Sequence, residues 1–450
     1  MKYKILITSL FAASIAFGQS GQSFTLQQCI DYALTNNTNV QNAVLDQQIT
    51  DNDDKEARTK VMPQIDGGVD YTHNFNIQKI ILENGVIPAF SDPSMTMGQV
   101  IAFQLQLRNT MTMSASASQV IYDKSLFTGL HSAETYKQLS LKRVTRSKID
   151  VAESVTKAFY GVLVAQRQLD FLDHNLARVD SLYRETSGRF KSGIVRKIDV
   201  DRIEVRLNNL REEREKSSKI VELNKTLLMF QMNYDPKDEL TINGELDENL
   251  LAATIDSHEN FNYENRIEYS ILKNQRQLND TQVGMIKGQY TPRLSAFATT
   301  GYNPSATHIG DIFQSSRYYN YTFVGLRLQV PIFHGFEKRY KVANQLIEGQ
   351  KLDNNIRNTE RSIDLQIRQA EISVMNGMES LKIQKRNLSL AEENVKVIRA
   401  ENAQGIATNL EVTNAEADLN EAQNNYYNAL YTALIAKTDL DKAMGKLIAQ

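Results

Sequence analysis

The 450-residue sequence contains no tryptophan, one cysteine, seven prolines and six histidines. A single cysteine excludes an internal disulfide, so stability has to come from packing or assembly. Cys29 follows Leu26-Gln27-Gln28 with no small residue before it, and reads as a small buried hydrophobe on the first helix rather than a lipidation site. His73, His131, His174, His258, His308 and His334 show no ligand spacing of the H-E-x-x-H kind. Neither a phosphate-cradling glycine loop nor a nucleophile elbow is present. The expectation is no enzyme, no cofactor and no metal site. The 51 basic residues nearly cancel the 53 acidic ones, which gives no electrostatic case for nucleic acid.

Long apolar runs are also missing, with one exception at the start. Lys2 and Lys4 precede an apolar run over residues 5–17, and Ala16 and Gly18 stand at the −3 and −1 positions for a cut before Gln19. This is the pattern of a secretory signal peptide, residues 1–18. Beyond it, no apolar stretch approaches the length of a spanning helix. A membrane crossing by this chain would have to be a β-barrel.

Prolines 63, 88, 93, 236, 292, 304 and 331 leave residues 94–235 and 332–450 free of proline, which permits long helices there. Val151, Val155, Ala158, Val162, Ala165, Leu169, Leu172, Leu176, Val179 and Leu182 recur at alternating spacings of three and four, a coiled-coil seam. A helix over residues 125–186 would run roughly 90 Å at 1.5 Å per residue. Its partner over residues 198–232 carries Ile203, Leu207 and Leu210 on a matching face. Residues 337–399 and 409–442 repeat the design.

The repetition is visible residue by residue at the two turns. Residues 191–204 lie over residues 403–416 without a gap: Gly193 on Gly405, Ile194 on Ile406, Ile198 on Leu410, Asp199 on Glu411, Val200 on Val412 and Glu204 on Glu416. The offset of 212 is about half the chain, so an internal duplication is expected. Each turn holds a glycine between two long helices and sets an acid at the start of the second, where the helix dipole favours negative charge.

Between the helical parts the period changes to two. Over residues 101–117 the odd positions read Ile, Phe, Leu, Leu, Asn, Met, Met, Ala, Ala, and the even ones are mostly polar. This predicts one two-faced strand. Residues 65–77 form its hairpin partner, with Ile65, Val69, Tyr71, Phe75 and Ile77 on a face shared with Gly67 and His73. Residues 294–303 and 318–333 form the equivalent pair, with Val324, Leu326, Leu328 and Val330 opposite Arg327 and Gln329. Without tryptophan, Tyr71, Tyr302, Tyr318, Tyr319 and Tyr321 would supply an interfacial girdle. Four strands cannot close a barrel, and lipid does not tolerate two free edges. Several chains must share one, giving eight strands for a dimer or twelve for a trimer.

Signal peptide, duplicated halves, a strand hairpin in each half and Gly-Ile turns together resemble the TolC-type outer membrane efflux proteins. Residues 24–37, FTLQQCIDYALTNN, are similar to that family's opening helix. Residues 328–335, LQVPIFHG, resemble its strand-to-helix junction, and residues 189–193, RFKSG, its first periplasmic tip. The resemblance implies an α+β membrane protein: a homotrimer sharing a 12-stranded transmembrane β-barrel, four strands per chain, continued by a long periplasmic α-helical coiled-coil barrel. The organisation expected is a first repeat over 19–235, with a strand hairpin at about 64–122 and a helical hairpin at about 125–232. An equatorial linker over 236–262 would follow. A second repeat over 263–450 would hold a strand hairpin at about 293–333 and a helical hairpin at about 337–442.

The implied function is the exit channel of a tripartite efflux or type I secretion system in the outer membrane. It would passively export solutes or proteins delivered by an inner-membrane transporter through a periplasmic adaptor. Its partners would be that adaptor, that transporter and outer membrane lipid, and no nucleic acid. A periplasmic coiled-coil adaptor or an envelope scaffold is the alternative. By resemblance Glu411 falls on an acidic pore ring and Asp199 on the partner position in the first tip. Glu411 also reads simply as an acid capping a helix N-terminus. The sequence departs from the family at Asn414, where a second ring acid is expected, at Asn402, a tyrosine-type link position, and at Ala407, a basic position. Gly193, Ile194, Gly405 and Ile406 are the expected adaptor-docking tips.

Overall fold

The computed structural model describes residues 23–104, 106–246, 248, 251 and 261–448. The leader over residues 1–18, Leu105 and much of the 247–260 stretch of the expected linker lie outside the described residues. The chain divides into two units. One takes residues 1–47, 139–273 and 354–450, and the other residues 48–138 and 274–353.

The first unit is built on helices. α1 (Leu26–Asn36) opens with a capping box in which the Gln28 amide N–H donates to the Thr25 hydroxyl and the Thr25 N–H to the Gln28 side chain. α2 (Thr38–Thr59), α4 (Ala133–Lys191), α6 (Ile267–Gly288) and α7 (Glu337–Ala403) begin or end in this unit, and α5 (Lys197–Met232) and α8 (Asn409–Ala443) lie wholly within it. Strand β1 (Ser23–Phe24) pairs in parallel with β6 (Thr241–Ile242). Phe24, Tyr32 and Tyr234 meet there with ring centroids 5.5 to 6.0 Å apart. The core beside them holds Ala33, Val155, Phe159, Leu228, Met232, Leu430 and Leu434, and the linker contributes Leu240 and Ile242. Cys29 is fully buried in this core, where loss of hydration pushes its thiol up to about 12.

α4 and α5 form an antiparallel hairpin closed by Leu172 and Val179 against Ile203, Leu207 and Leu210. α7 and α8 form another, closed by Val395 against Ala415 and Leu419. Each of these valine, leucine and isoleucine side chains removed from water contributes about 1.5–3 kcal/mol. At Gly377 of α7, an added Cβ would stand 3.0 Å from the Ala433 Cα, so a side chain there would push the two helices apart.

The second unit is built on a sheet. β2 (Gln64–His73), β5 (Asn109–Tyr122), β7 (Arg293–Tyr302) and β9 (Asn320–Gln329) lie side by side in that order, all antiparallel, with short β8 (Ser305–Ala306) also on β5. β2 and β9 are the outer strands. β3 (Lys79–Glu83) and β4 (Val100–Gln104) make a separate hairpin.

Two expectations are corrected. The single strand over 101–117 is two: β4 pairs with β3, and β5 starts afresh at Asn109 on β2. Asn109 anchors the new start. Its buried side chain accepts from the Tyr71 hydroxyl at 2.8 Å and stands 2.7 Å from His73 Nδ1, while its amide donates to the carbonyls of Ala306 and Thr307. The single helix over 125–186 is also two, α3 (Lys124–His131) and α4, separated at Ser132. The Ser132 hydroxyl and N–H both donate to the Gly129 carbonyl, a local turn that competes with helix continuation. Among the described residues, no helix is long and apolar enough to cross a membrane.

Candidate functional site: a two-faced sheet and two helical tips

The strand pairing turns the alternating sequence into two complete faces. Ile65, Ala117, Ala298 and Val324 form one row across all four strands, and Val69, Met113 and Tyr302 another. Leu326 and Leu328 extend this face along β9. It stays bare within the chain: Ile65 is 75% exposed and Val324 77%. The opposite face carries Asp66, Ser116, Thr299 and Phe323 in one row, and Asp70 beside Thr112. It also holds Arg327, whose guanidinium lies 5.3 Å from the Phe297 ring centre. Gly325 leaves room for that ring, because an added Cβ would meet it at 2.7 Å. Ten residues at 3.3 Å each give about 33 Å, enough to cross the apolar band of an outer membrane at a tilt.

An apolar face this large and exposed is an interaction surface. With polar residues opposite it and two free edges, the sheet has the pattern of a barrel wall between lipid and water.

The two tips share one backbone. Gly193 has φ +74° and Gly405 φ +76°. The Ile194 N–H donates to the Arg189 carbonyl and the Ile406 N–H to that of Glu401, each at 2.9 Å, which terminates α4 and α7 by the left-handed glycine device. Ile194 and Ile406 project outward, 72% and 70% exposed.

The side chains around the tips differ. In the first, Asp199 accepts from the Arg196 N–H at 3.3 Å and from its guanidinium at 3.4 Å. In the second, the Thr408 N–H and hydroxyl donate to Glu411 Oε2 at 2.6 and 2.8 Å, and the Glu411 N–H returns a bond to the Thr408 hydroxyl. Glu411 is thus the N3 acid of a capping box, and these bonds hold its carboxyl below the usual range. Asn402 donates across the turn to the Ala407 carbonyl at 2.8 Å and to Asn409 Oδ1 at 3.1 Å. Asn409 in turn donates to Thr186 of α4 at 3.4 Å. Asn414 is exposed on α8 and joins none of these bonds.

One group escaped the sequence reading. Glu416, registered there only as the counterpart of Glu204, has a side chain 2% exposed. Arg178 of α4 donates to its Oε2 at 3.1 Å, and Arg399 of α7 comes within 2.5 Å of Oε1, off the line of its N–H bonds. The acid therefore joins three helices. A signal was available: Glu416 lies among Val412, Ala415, Leu419 and Ala422 on the buried face of α8, where a carboxylate needs a cation.

Comparisons with known proteins agree with this geometry. The sequence profile of the family described as outer membrane efflux protein matches residues 29–216 and 273–446. Outer membrane protein TolC of Salmonella enteritidis is 23% identical over 464 residues, covering 100% of this chain and 88% of that protein. Among solved structures, CusC superposes with a TM-score of 0.73 at 13% identity, covering 93% of this chain and 91% of that one. The open state of the Neisseria gonorrhoeae MtrE outer membrane channel gives 0.68 at 15%, covering 93% and 88%. The chain belongs to the outer membrane efflux protein family, and is an outer membrane exit channel of a transport family rather than an enzyme family.

Proposed function

We propose that three copies of this chain share one barrel and form the exit duct of a tripartite export machine. Each copy contributes β2, β5, β7 and β9, with β9 of one chain pairing with β2 of the next. The observation that carries this reading is the four-stranded sheet with an apolar face, a polar face and two free edges. Lipid covers the first face and water fills the space behind the second. The helices continue the duct into the periplasm. There Gly193, Ile194, Gly405 and Ile406 meet an adaptor that brings cargo from an inner-membrane transporter, and passage through the duct itself is passive.

In this reading three copies of Glu411 ring the narrow end, with Asp199 behind them. The Asn402 amide and the Thr186–Asn409 bond hold the second tip closed, in place of the tyrosine and basic links the sequence lacks. Glu411 Oε2 is committed to its helix cap, which leaves Oε1 to meet cations. Exposed Asn414 adds polarity without charge.

The decisive measurement is the native mass of protein extracted by detergent from a purified outer membrane fraction. Three chains per particle are expected; a single chain would sink the shared barrel. In planar bilayers Glu411→Gln should then lower cation selectivity, and unchanged selectivity would remove Glu411 from the gate.

A further inference from the structure

Polar links join α4 to α8 within the chain: Thr186 with Asn409, Arg178 with Glu416, Gln168 with Asn428, Lys157 with Asp439, and Lys442 with both Glu153 and Asp150. The two residue numbers add to 594, 595 or 596 in every pair but Asp150 with Lys442, which gives 592 because the lysine spans two acids about one turn apart on α4. A constant total means two antiparallel helices held in one register, here over about 50 Å of helix. The sequence offset of 212 carries α4 onto α7 and α8 onto α5. Adding it to one member of a pair and subtracting it from the other leaves the total unchanged, so an α5–α7 seam of the same build would obey the same number.

The exposed apolar side chains of these two helices do obey it. Ile198 with Val397, Val205 with Leu390 and Ile220 with Met375 each add to 595, as do Leu223 with Ile372 and Phe230 with Leu365. These pairs account for five of the six exposed large apolar residues on α5, and five of the six on α7 beyond residue 354. The two left over, Leu227 and Ile383, fall opposite Arg368 and Glu212, whose stems can cover them.

We propose that α5 of one copy packs against α7 of a second copy in this register, so that the α4–α8 seam inside each chain is the template for the seam between chains. The occupant is a second copy because the row on α5 is mirrored by a row on α7 of the same sequence; lipid or an unrelated protein would impose no such match. The two seams share a register and differ in chemistry. The inner one is ionic and amide-bonded, while the outer one is apolar and non-directional. The inference rests on the shared-barrel reading but concerns only which residues meet.

The test uses the full chain in a Cys29→Ala background, treated in outer membranes with a short bis-maleimide. Val205→Cys with Leu390→Cys, and separately Ile220→Cys with Met375→Cys, should give products at two and three chain masses. Val205→Cys with Val397→Cys, two helical turns out of register, should give at least tenfold less. Equal product from all three, product only with an unrelated protein, or none from either matched pair in particles of oligomeric mass, overturns the register and leaves the shared barrel standing. Particles of one chain mass from the Cys29→Ala parent overturn both.

Discussion

The two helical tips have the same backbone and hold different things. Both turn at a left-handed glycine followed by an outward isoleucine, and both set an acid three residues into the next helix. The first tip bonds within itself, through Arg196 and Asp199. The second reaches outward: Asn409 bonds Thr186, and Glu416 is gripped by Arg178 and Arg399. Turn geometry therefore belongs to the shared pattern, and attachment to a neighbouring helix belongs to a few side chains that differ between the copies. The same contrast separates α8, tied along α4, from α5, whose apolar row is left bare.

The sharpest way to break this contrast is to remove the two aligned glutamates in turn. Glu416→Ala deletes a buried carboxylate bound to one arginine and in contact with another, each of which can then turn to water. The cost should be about 2 kcal/mol, within the range for hydrogen bonds to charged groups. Amide hydrogen exchange around residue 416 of α8 should speed up by roughly 30-fold, reporting local opening. Glu204 is exposed, and Glu204→Ala should change exchange in α5 by less than about 0.5 kcal/mol. Equal responses would mean that the α4–α8 attachment is not what distinguishes the tips.

Next in size come the glycines, where the tips should agree. Gly193→Ala and Gly405→Ala each put a Cβ into open space at positive φ, so only the backbone resists. Each should destabilise its turn by about 1–2 kcal/mol in exchange measurements. A difference above about 1 kcal/mol would show that the turns are not equivalent after all. The capping residues come third. Thr408→Ala should cost about 1 kcal/mol, the value of a lost N-cap. Arg196→Ala removes only an exposed side chain and leaves the Arg196 N–H on Asp199, so it should stay within about 0.5 kcal/mol.

What the sequence revealed follows the same division between repeated pattern and individual contact. Alternation along β2, β7 and β9 is legible because one face must be apolar over the whole strand. The break before Asn109 is not, because Leu105 and Leu107 continue the alternation and only the change of partner, from β3 to β2, ends the pairing. The long helices follow from proline-free heptads, whereas the interruption at Ser132 depends on one hydroxyl turning back to Gly129. At the second tip the capping motif Thr408-Asn409-Leu410-Glu411 stands in the sequence and accounts for the position of Glu411. Its link to Thr186, 223 residues away, comes only with the packing of α8 on α4.

The smallest effect expected is also the most selective, because it titrates a single cap. The folded-state pKa of Glu411 lies below its ordinary value because the Thr408 N–H and hydroxyl favour the carboxylate. The stabilisation is therefore present above the unfolded-state value of about 4.3 and is lost as pH falls through the lower folded-state value. Exchange at the first turn of α8 should quicken below about pH 4, after correction for the intrinsic exchange rate, while Glu411→Gln should flatten that response. The hydrogen-bond donors survive in this variant, so the flattening isolates the charge from the geometry of the cap. A response that persists in Glu411→Gln would assign the acid sensitivity of the second tip to another carboxylate and remove the Thr408–Glu411 cap as its cause.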